Sequence, residues 1–482
     1  MSTPPAAAPA PHRLDGHLGT GQIVFMVIAA AAPLTVVGGN VPLAVAGGNG
    51  VGAPVGFLLA AAVLLVFSVG FVALTPHVRD AGAFFSYVAA GLGSRAGLGT
   101  AFTALVAYTA IQVGVYGYAG WALNDLVVSF GGPEMPWWAY AFAVLAVVAV
   151  LGYRHIELSA KVLGVALVLE IAVVVVLDAV ILGGGGRDGL VTSTFAPENV
   201  LTPHIGVAVL FALTGFIGFE ATAVFRDEAR DPERTIPRAT YLAVLVIGGF
   251  YAVSCWALIT GAGAADAVAV AQRTLDGEGN FLLDTTQEHL GPVLRDVVQV
   301  LLVSSLFACV LSFHNVLARY QFSLAGKGVL PRALAHRHPR HASPSTASLV
   351  QTVTAAAVLA VLALLGLDPL VGVFGSMAGV ATVGMVLLML TTSVAVLVFF
   401  ARNPGLATRG RFPTAVAPVL AVLGLLVSLW LVLSNFTLVT GGSVATSTVL
   451  ALVPPAAFAV GALAGGRSRL TDAERVPGDL VR

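Results

Sequence analysis

Three acidic residues, Glu170, Asp178 and Glu220, lie well inside long apolar stretches, where no basic residue is expected. Because a charge in hydrocarbon is costly, an ionisable side chain there is a functional candidate by default. Glu170 is about ten residues, or roughly 15 Å, into its stretch, which is near the middle of a membrane. Asp178 is close enough to the end of that stretch to be merely interfacial. For Glu170 and Glu220 the alternative is a protonated or hydrogen-bonded structural acid.

Glycine, proline and threonine interrupt two of these apolar stretches at about the same depth. The interrupting residues are Pro33, Gly38, Gly39 and Pro42 in the first stretch and Thr214, Gly215 and Gly218 in the second. Unwound backbone exposes free N–H and C=O groups, and the half-helix after each break has a positive end that suits a carboxylate. The opposing carbonyls suit an ammonium group or Na⁺. Two broken spans in corresponding places indicate a transporter's substrate site, whereas a single one would fit a packing glycine or a kink.

The composition requires a membrane protein, since 57% of the 482 residues are hydrophobic and only 10% are charged. Soluble proteins carry roughly 25% charged residues. At about 20 residues per helix, the sequence predicts an all-α integral membrane protein with one domain at 21–466 and disordered cytoplasmic tails at 1–20 and 467–482. Its twelve transmembrane helices, numbered here as spans 1 to 12, are predicted at about 22–47, 54–75, 97–124, 136–153, 160–182, 206–226, 240–262, 293–319, 347–366, 370–400, 414–435 and 445–465.

The basic residues predict the orientation. Of the 24 Lys and Arg residues, only Arg187, Arg273 and Arg295 fall on the face opposite the termini. The positive-inside rule therefore places both termini in the cytoplasm and the chain in the cytoplasmic membrane, with the lipid bilayer around it. Zero net charge gives no sign of a nucleic-acid partner, and the oligomeric state stays open. The outer connection at 263–291 is expected to be a solvated loop, with a short lid helix as the alternative.

Three segments resemble the amino acid–polyamine–organocation permease superfamily. They are GFIGFEATAVFRDEARDPERTIPRA at 215–239, NVLARYQFSLAGKGVLPRAL at 315–334 and DAGAFFSYVAAGLG at 80–93. The resemblance, which covers essentially the whole chain, implies a five-plus-five inverted repeat with broken helices 1 and 6, followed by two extra helices. It also implies alternating access and the uptake or exchange of amino acids. An inverted repeat suits the span pattern, because five spans are an odd number and the second set starts from the opposite face.

The resemblance also implies site residues. Residues 33–39 would be the first unwound segment and 214–218 the second. The substrate-binding residues would be Pro33, Thr35, Val36, Gly38, Gly39, Tyr108, Gln112, Thr214, Gly215, Phe216 and Gly218, and the coupling or gating residues Glu170, Glu220, Ser304 and Ser305. Family members usually carry Gly-Ser-Gly where this chain has Thr35-Val36-Val37. Thr214 also stands where a bulky ring is common, and some proton-coupled relatives carry a lysine near the position of Glu170.

These features predict a secondary active transporter of amino acids that works by alternating access. Because the predicted pocket holds no base and few acids, a neutral zwitterionic substrate is preferred, and a cationic amino acid or amine that pairs with Glu220 is the alternative. A carboxylate at the depth of Glu170 favours coupling to H⁺, with Na⁺ at Ser304 and Ser305 as the alternative. We predict no catalytic residue, metal ligand or cofactor. An integral-membrane transferase is a remote alternative that would require Asp/His clusters in interfacial loops.

Overall fold

The computed structural model describes residues 18–78, 84–154, 160–339, 343–407 and 410–465. Within these ranges the chain is helical, and an isolated bridge joins Leu18 to Ala229. The predicted tails lie outside the described residues except for 18–20, as do the first residues of the 80–93 motif. Among the described residues, eleven helical stretches are long and apolar enough to cross a membrane. The chain is therefore an all-helical protein of the membrane-spanning type.

The first of these helical stretches, Thr20–His77, contains predicted spans 1 and 2, and each of the others matches one later span. Its 58 residues would extend to roughly 87 Å as a straight helix, against a hydrocarbon thickness of about 30 Å. The stretch is interrupted at Ala32 and again at Gly48 and Gly50, where the backbone leaves the helical region. The second interruption separates span 1 from span 2.

The helices that correspond to the predicted spans have the following bounds. Span 1 comprises Thr20–Ala31, Pro33–Thr35, Val36–Asn40, Val41–Ala44 and Val45–Asn49; span 2 is Ala53–Leu74, span 3 Ser94–Ser129, span 4 Trp137–Arg154 and span 5 Ala160–Gly184; span 6 comprises Ile205–Thr214 and Phe219–Glu228; span 7 is Pro232–Ala262, span 8 Pro292–Gly326 and span 9 Ser345–Leu364; span 10 comprises Pro369–Gly375 and Ser376–Arg402, span 11 Phe412–Val416 and Ala417–Ser434, and span 12 is Val444–Ala464. A further helix, Phe84–Leu92, lies between spans 2 and 3.

Spans 3, 6 and 10 are the most enclosed, with about three quarters or more of their most apolar windows buried. In spans 4, 9 and 12, by contrast, less than a third of the corresponding window is buried, as expected for helices at a lipid-facing perimeter. The two interrupted spans therefore contact the protein interior: every residue of Ile205–Thr214 is buried, and so is every residue from Pro33 to Ala44.

The outer connection at 263–291 is not the solvated loop that the sequence suggested. It forms two short helices, Ala267–Leu275 and Phe281–Leu290, and the alternative of a lid helix is correct. The second helix starts at Asn280, whose side chain accepts a hydrogen bond from the Leu283 N–H at 3.1 Å. Phe281, Leu282 and Leu283 are fully buried. An apolar triplet behind a good N-cap residue explains why this connection folds back onto the protein.

Candidate substrate site at the two helix breaks

The first break is a single residue, Ala32, in the left-handed region with φ 47° and ψ 75°. Among the described residues it is the one non-glycine with positive φ. The ring of Pro33 disfavours right-handed helical geometry at the preceding residue, and Pro33 has no N–H for a helical hydrogen bond. The chain is helical again from Pro33, first as α-helix and then as a widened π-helix over Val36–Asn40. The predicted unwinding of residues 33–39 is therefore wrong, because glycine permits unwinding but does not force it.

Side chains from two other spans satisfy the backbone groups that the first break leaves free. The Tyr251 hydroxyl of span 7 donates to the Ala31 carbonyl at 3.1 Å. On the other side of Ala32, the Leu34 N–H lies near the Glu170 carboxylate of span 5. Ser305 Oγ of span 8 donates to Glu170 Oε2 at 2.8 Å. Glu170, which is 4% exposed, thus lies at the positive end of the second half of span 1.

Thr35 joins the hydrogen-bonded pair of Ser305 and Glu170. Its Oγ1 donates to Ser305 Oγ at 3.4 Å, so spans 1, 5 and 8 meet through Thr35, Ser305 and Glu170. Ser304, the other predicted coupling serine, donates to the Leu301 carbonyl of its own helix at 2.8 Å. The structure therefore brings Ser305, and not Ser304, to the first break.

Gly38 and Gly39 pack against Tyr118 of span 3, a residue that sequence reasoning missed. A Cβ atom on Gly38 would lie 2.7 Å from the Tyr118 hydroxyl, and one on Gly39 would lie 2.7 Å from its ring. The Tyr118 ring lies beside that of Phe374, with centroids 5.4 Å apart and the ring planes tilted by 36°. Its hydroxyl is buried and has no hydrogen-bond partner among the described residues. Tyr118 and the predicted Tyr108 are tyrosines of the same helix that differ in the face they occupy. The sequence does not show which of these faces meets span 1.

The second break follows the prediction closely. The α-helix of span 6 ends at Thr214, residues 215–218 form a turn, and Gly218 has φ 110°. Only Thr214 differs, since it is the last helical residue, and its Oγ1 lies 2.6 Å from Thr382 Oγ1 of span 10. A 3₁₀-helix begins at Phe219. Gly218 supplies the positive φ that this turn needs, which other residues adopt at a cost.

Glu220 folds back onto the break that precedes it. The Gly218 N–H donates to Glu220 Oε2 at 3.0 Å, and the Tyr108 hydroxyl of span 3 donates to Oε1. Glu220 is 3% exposed. The partners found for Glu220 and for Glu170 in the described part of the chain are neutral donors. Each positive half-helix end is therefore occupied by a carboxylate of the chain itself.

The two breaks face one another. A Cβ atom on Gly215 would lie 3.1 Å from Val36 Cγ1, and the Asn40 side chain donates to the Phe211 carbonyl at 2.8 Å. The Phe216 ring lies edge-on to Tyr251, with centroids 6.4 Å apart. Spans 1 and 6 thus pack directly on each other where both are interrupted, as a shared binding site requires.

Gln112 lies apart from this arrangement. Its Nε2 donates to the Val310 carbonyl at 3.3 Å, and its Oε1 accepts from Gln351 at 2.8 Å. Gln321 donates in turn to Gln351 at 2.8 Å. The structure therefore joins Gln112 to spans 8 and 9 by a buried amide network, and gives it no hydrogen bond to either break.

The expectation that no base lies inside the spans is wrong. His314, within span 8, is 1% exposed, and its Nε2 lies 2.8 Å from Ser348 Oγ of span 9. Gly152 of span 4 makes room for the ring, since a Cβ there would lie 2.5 Å from His314 Nε2. The signal was a single histidine inside the apolar stretch at 293–319. Asp178, taken as equally compatible with the interface, is also buried, at 6% exposure.

Two other segments of the chain pack near the breaks. On one side Leu282 of the lid helix reaches Gly38, where a Cβ would lie 3.5 Å from Leu282 Cδ2. On the other side the backbone of Leu18 pairs with the chain after span 6, through Leu18 N–H to the Glu228 carbonyl at 2.9 Å and Arg230 N–H to the Leu18 carbonyl at 3.0 Å.

Two interrupted apolar helices that pack at their breaks, inside a ring of lipid-facing helices, are the architecture of a membrane transport protein. The chain belongs to the amino acid permease family, whose family model matches residues 18–458. It is 23% identical to the branched-chain amino acid permease BcaP of Bacillus subtilis over 408 residues, which are 80% of this chain and 81% of that protein.

Other relatives are similar over shorter stretches. The serine/threonine exchanger SteT of Bacillus subtilis is 23% identical over 298 residues, 60% of this chain and 63% of that protein. The low-affinity putrescine importer PlaP of Escherichia coli is 23% identical over 201 residues, 40% of this chain and 43% of that protein. The names of these relatives span amino acids and a diamine, so similarity establishes a permease and leaves the substrate open.

Proposed function

We propose that this chain is a proton-coupled secondary transporter of a neutral zwitterionic amino acid, working by alternating access. Its fold would be twelve crossings, with spans 1–5 and 6–10 as an inverted repeat and both termini in the cytoplasm. The facing breaks of spans 1 and 6 support this architecture, as does the family match. The asymmetry of basic residues supports the orientation and a cytoplasmic membrane location.

The observation that carries the proposal is the position of Glu170. Its carboxylate sits at the first break, bonded by Ser305 and close to the Leu34 N–H, with no basic partner among the contacts found in the described residues. When spans 1 and 6 rearrange to open the site, the Leu34 N–H of span 1 moves relative to span 5. An ionised carboxylate would then lose compensation in a buried setting, which costs several kcal/mol. A proton on Glu170 removes that cost, so we infer that the proton travels with the substrate.

The substrate itself would bind between the two breaks. Its ammonium group needs acceptors, and the Ala31 carbonyl and the Thr35 hydroxyl at the first break can each accept with a remaining lone pair. The unpartnered Tyr118 hydroxyl, beside Gly38, can donate to or accept from a bound solute. A substrate carboxylate would use the half-helix N–H groups when protonation loosens Glu170 from Leu34. The closely packed Val36 and Phe216 favour a small or apolar side chain.

A second candidate is an amine that lacks a carboxylate. One observation favours it: Glu170 and Glu220 already occupy the positive ends of both half-helices. A solute without a carboxylate would leave these bonds intact, and its ammonium group would pair with one of the acids. The similarity to a putrescine importer is compatible with this alternative.

The deciding experiment is uptake by the purified protein in liposomes, with labelled neutral amino acids and a labelled diamine as substrates. An inward pH gradient without Na⁺ is compared with an inward Na⁺ gradient at equal pH. We expect the pH gradient alone to drive accumulation of a neutral amino acid. A gradient of about two pH units is worth about 2.7 kcal/mol, which supports roughly 100-fold accumulation for one proton per substrate.

Glu170→Gln is the matched variant. It should abolish accumulation by the pH gradient while exchange of labelled for unlabelled substrate at equal pH continues. Uptake driven by Na⁺ alone, or full pH dependence in Glu170→Gln, contradicts proton coupling through this residue. Accumulation of the diamine, with no uptake of any amino acid, selects the second candidate.

A further inference from the structure

Span 5 carries a second buried acid on the same face as Glu170. The residues of this helix that are almost fully buried recur at helical spacing and form one stripe; they are Leu167, Glu170, Val174, Leu177, Asp178 and Ile181. Between them the helix exposes large apolar side chains such as Val168 and Val175, as expected for a lipid-facing surface. Asp178 thus points into the protein, about 12 Å along the helix from Glu170.

Asp178 is incompletely paired. Ser254 Oγ of span 7 donates to its Oδ2 at 2.7 Å. Its Oδ1 is buried without a hydrogen-bond partner in the described part of the chain. Buried carboxylates that only stabilise a fold normally have donors on both oxygens. A carboxyl group with one free oxygen is instead suited to hold a proton or to meet a water molecule there.

Polar groups continue from Asp178 towards Glu170 along the contact of spans 5 and 7. Cys255, next to Ser254, lies within electrostatic range of Asp178. One helical turn away is Tyr251, which lies within range of Glu170 and bonds the Ala31 carbonyl at the first break. The interface between the two acids is therefore lined by hydroxyl and thiol groups on span 7, although Val174 and Leu177 separate the acids on span 5 itself.

Other ionisable groups are further from Asp178. On span 8, Cys309 lies within range of Glu170. On the lid helix, His289 Nε2 lies 3.2 Å from the Gly261 carbonyl, about two turns beyond Ser254. At the outer mouth, Arg187 pairs with Asp266 at 3.1 Å, and both are about half exposed. Asp178 lies between that mouth and Glu170, so a proton that enters from the outer side meets Asp178 first.

We propose that Asp178 is the outer proton relay of this transporter, accepting a proton from the outer side and passing it to Glu170. In the transfer, the O–H bond of the Asp178 carboxyl breaks and an O–H bond forms on a Glu170 oxygen, through intervening water. The electron pairs stay on the oxygens, and no other reactant is needed. The inference rests on the proposed proton coupling. It assigns Asp178 the role of setting how fast Glu170 is loaded from outside.

The test compares Asp178→Asn with the wild-type protein in liposomes. The asparagine keeps the size and the bond to Ser254 but cannot carry the proton. Accumulation driven by an inward pH gradient should slow by about tenfold or more, as expected when a positioned proton-transfer group is lost. Exchange of labelled for unlabelled substrate at equal pH, and substrate affinity, should be unchanged, because neither requires net proton entry. Asp266→Asn, which removes an acid from the exposed outer mouth, is the control and should behave as wild type.

The outcomes are distinguishable. If the wild-type protein is not driven by a pH gradient, the proposed function fails. If it is driven and Asp178→Asn accumulates substrate at the wild-type rate, the relay is refuted while proton coupling stands. Equal loss of exchange and accumulation also refutes the relay, since that result marks a structural role. If Asp178→Asn does not fold and cannot be reconstituted, Ser254→Ala is the second test, because it removes the hydrogen-bond donor of Asp178. This variant should shift the dependence of uptake on external pH. An unchanged pH dependence overturns the proposal.

Discussion

The bond between Tyr108 and Glu220 makes a quantitative prediction for transport. Glu220 accepts from the Gly218 N–H at 3.0 Å and from the Tyr108 hydroxyl, and so connects the second break to span 3. In Glu220→Gln the amide oxygen can still accept from Gly218. The amide NH₂ then faces Tyr108, whose hydroxyl must turn round and accept instead of donating. The fold should survive this substitution, but the charge is lost.

The size of the effect follows from the two bonds. A hydrogen bond to a charged group contributes about 1.5–3 kcal/mol, against about 0.5–1.5 kcal/mol for a neutral one. Losing charge assistance in both bonds therefore costs about 2 kcal/mol, or roughly 30-fold in kcat/KM for uptake. Tyr108→Phe removes one of the bonds and should cost less than Glu220→Gln. Because the two residues contact each other, the double variant should be no worse than Glu220→Gln alone.

The assay is initial uptake in liposomes, normalised to incorporated protein, for the wild type, both single variants and the double variant. Tyr116→Phe is the matched control, since Tyr116 is a buried tyrosine of the same helix that lies near Gln112, whereas Tyr108 is the tyrosine bonded to Glu220. Its effect should add to that of Glu220→Gln. Additive losses for Tyr108→Phe and Glu220→Gln, within about 0.5 kcal/mol, would refute the reasoning. So would wild-type uptake and pH dependence in Glu220→Gln.

Two further predictions concern the backbone at the breaks. In Gly218→Ala the new Cβ has room, 3.5 Å from the nearest side chain, but alanine is forced to adopt φ 110°. Thermal unfolding should therefore show a loss of about 1–2 kcal/mol in the free energy of unfolding. Ala32→Gly, the reverse change at the other break, should be nearly neutral, and equal losses in the two variants would contradict an effect of positive φ. Gly38→Ala places a Cβ 2.7 Å from the Tyr118 hydroxyl. It should lower the free energy of unfolding by about 1–3 kcal/mol and also weaken substrate binding. Adding Tyr118→Phe should restore part of both, and no restoration would contradict the packing described for span 1.

Much of the fold could be predicted, because the lengths of apolar stretches and the positions of Gly and Pro are visible in the sequence without knowledge of the packing. The run lengths gave helices that match every predicted span, and Gly215 to Gly218 marked a true break. The two acids at the breaks could also be predicted, because Glu170 and Glu220 are ionisable residues in otherwise apolar stretches. Their roles in coupling remain predictions.

What could not be predicted depends on which face of a helix meets its neighbour. Tyr118 and Gln112 are both polar residues of span 3, yet Tyr118 packs on span 1 and Gln112 bonds to spans 8 and 9, and helix packing sets that difference. The first break was misplaced because Gly38 and Gly39 are accommodated in a π-helix, while the proline effect acts on Ala32. His314 was missed because two neighbouring helices accommodate it: Gly152 of span 4 leaves space for the ring, and Ser348 of span 9 supplies a hydroxyl partner.

The central claim is that a proton enters with each substrate molecule, and simultaneous measurement of both fluxes tests it most directly. Liposomes that contain the purified protein, with no pH or Na⁺ gradient, are given a labelled neutral amino acid while the external pH is recorded. The account predicts that substrate entry is accompanied by alkalinisation of the medium, in proportion to the label taken up, and that Glu170→Gln abolishes the pH change. Entry of substrate with no movement of protons would contradict it.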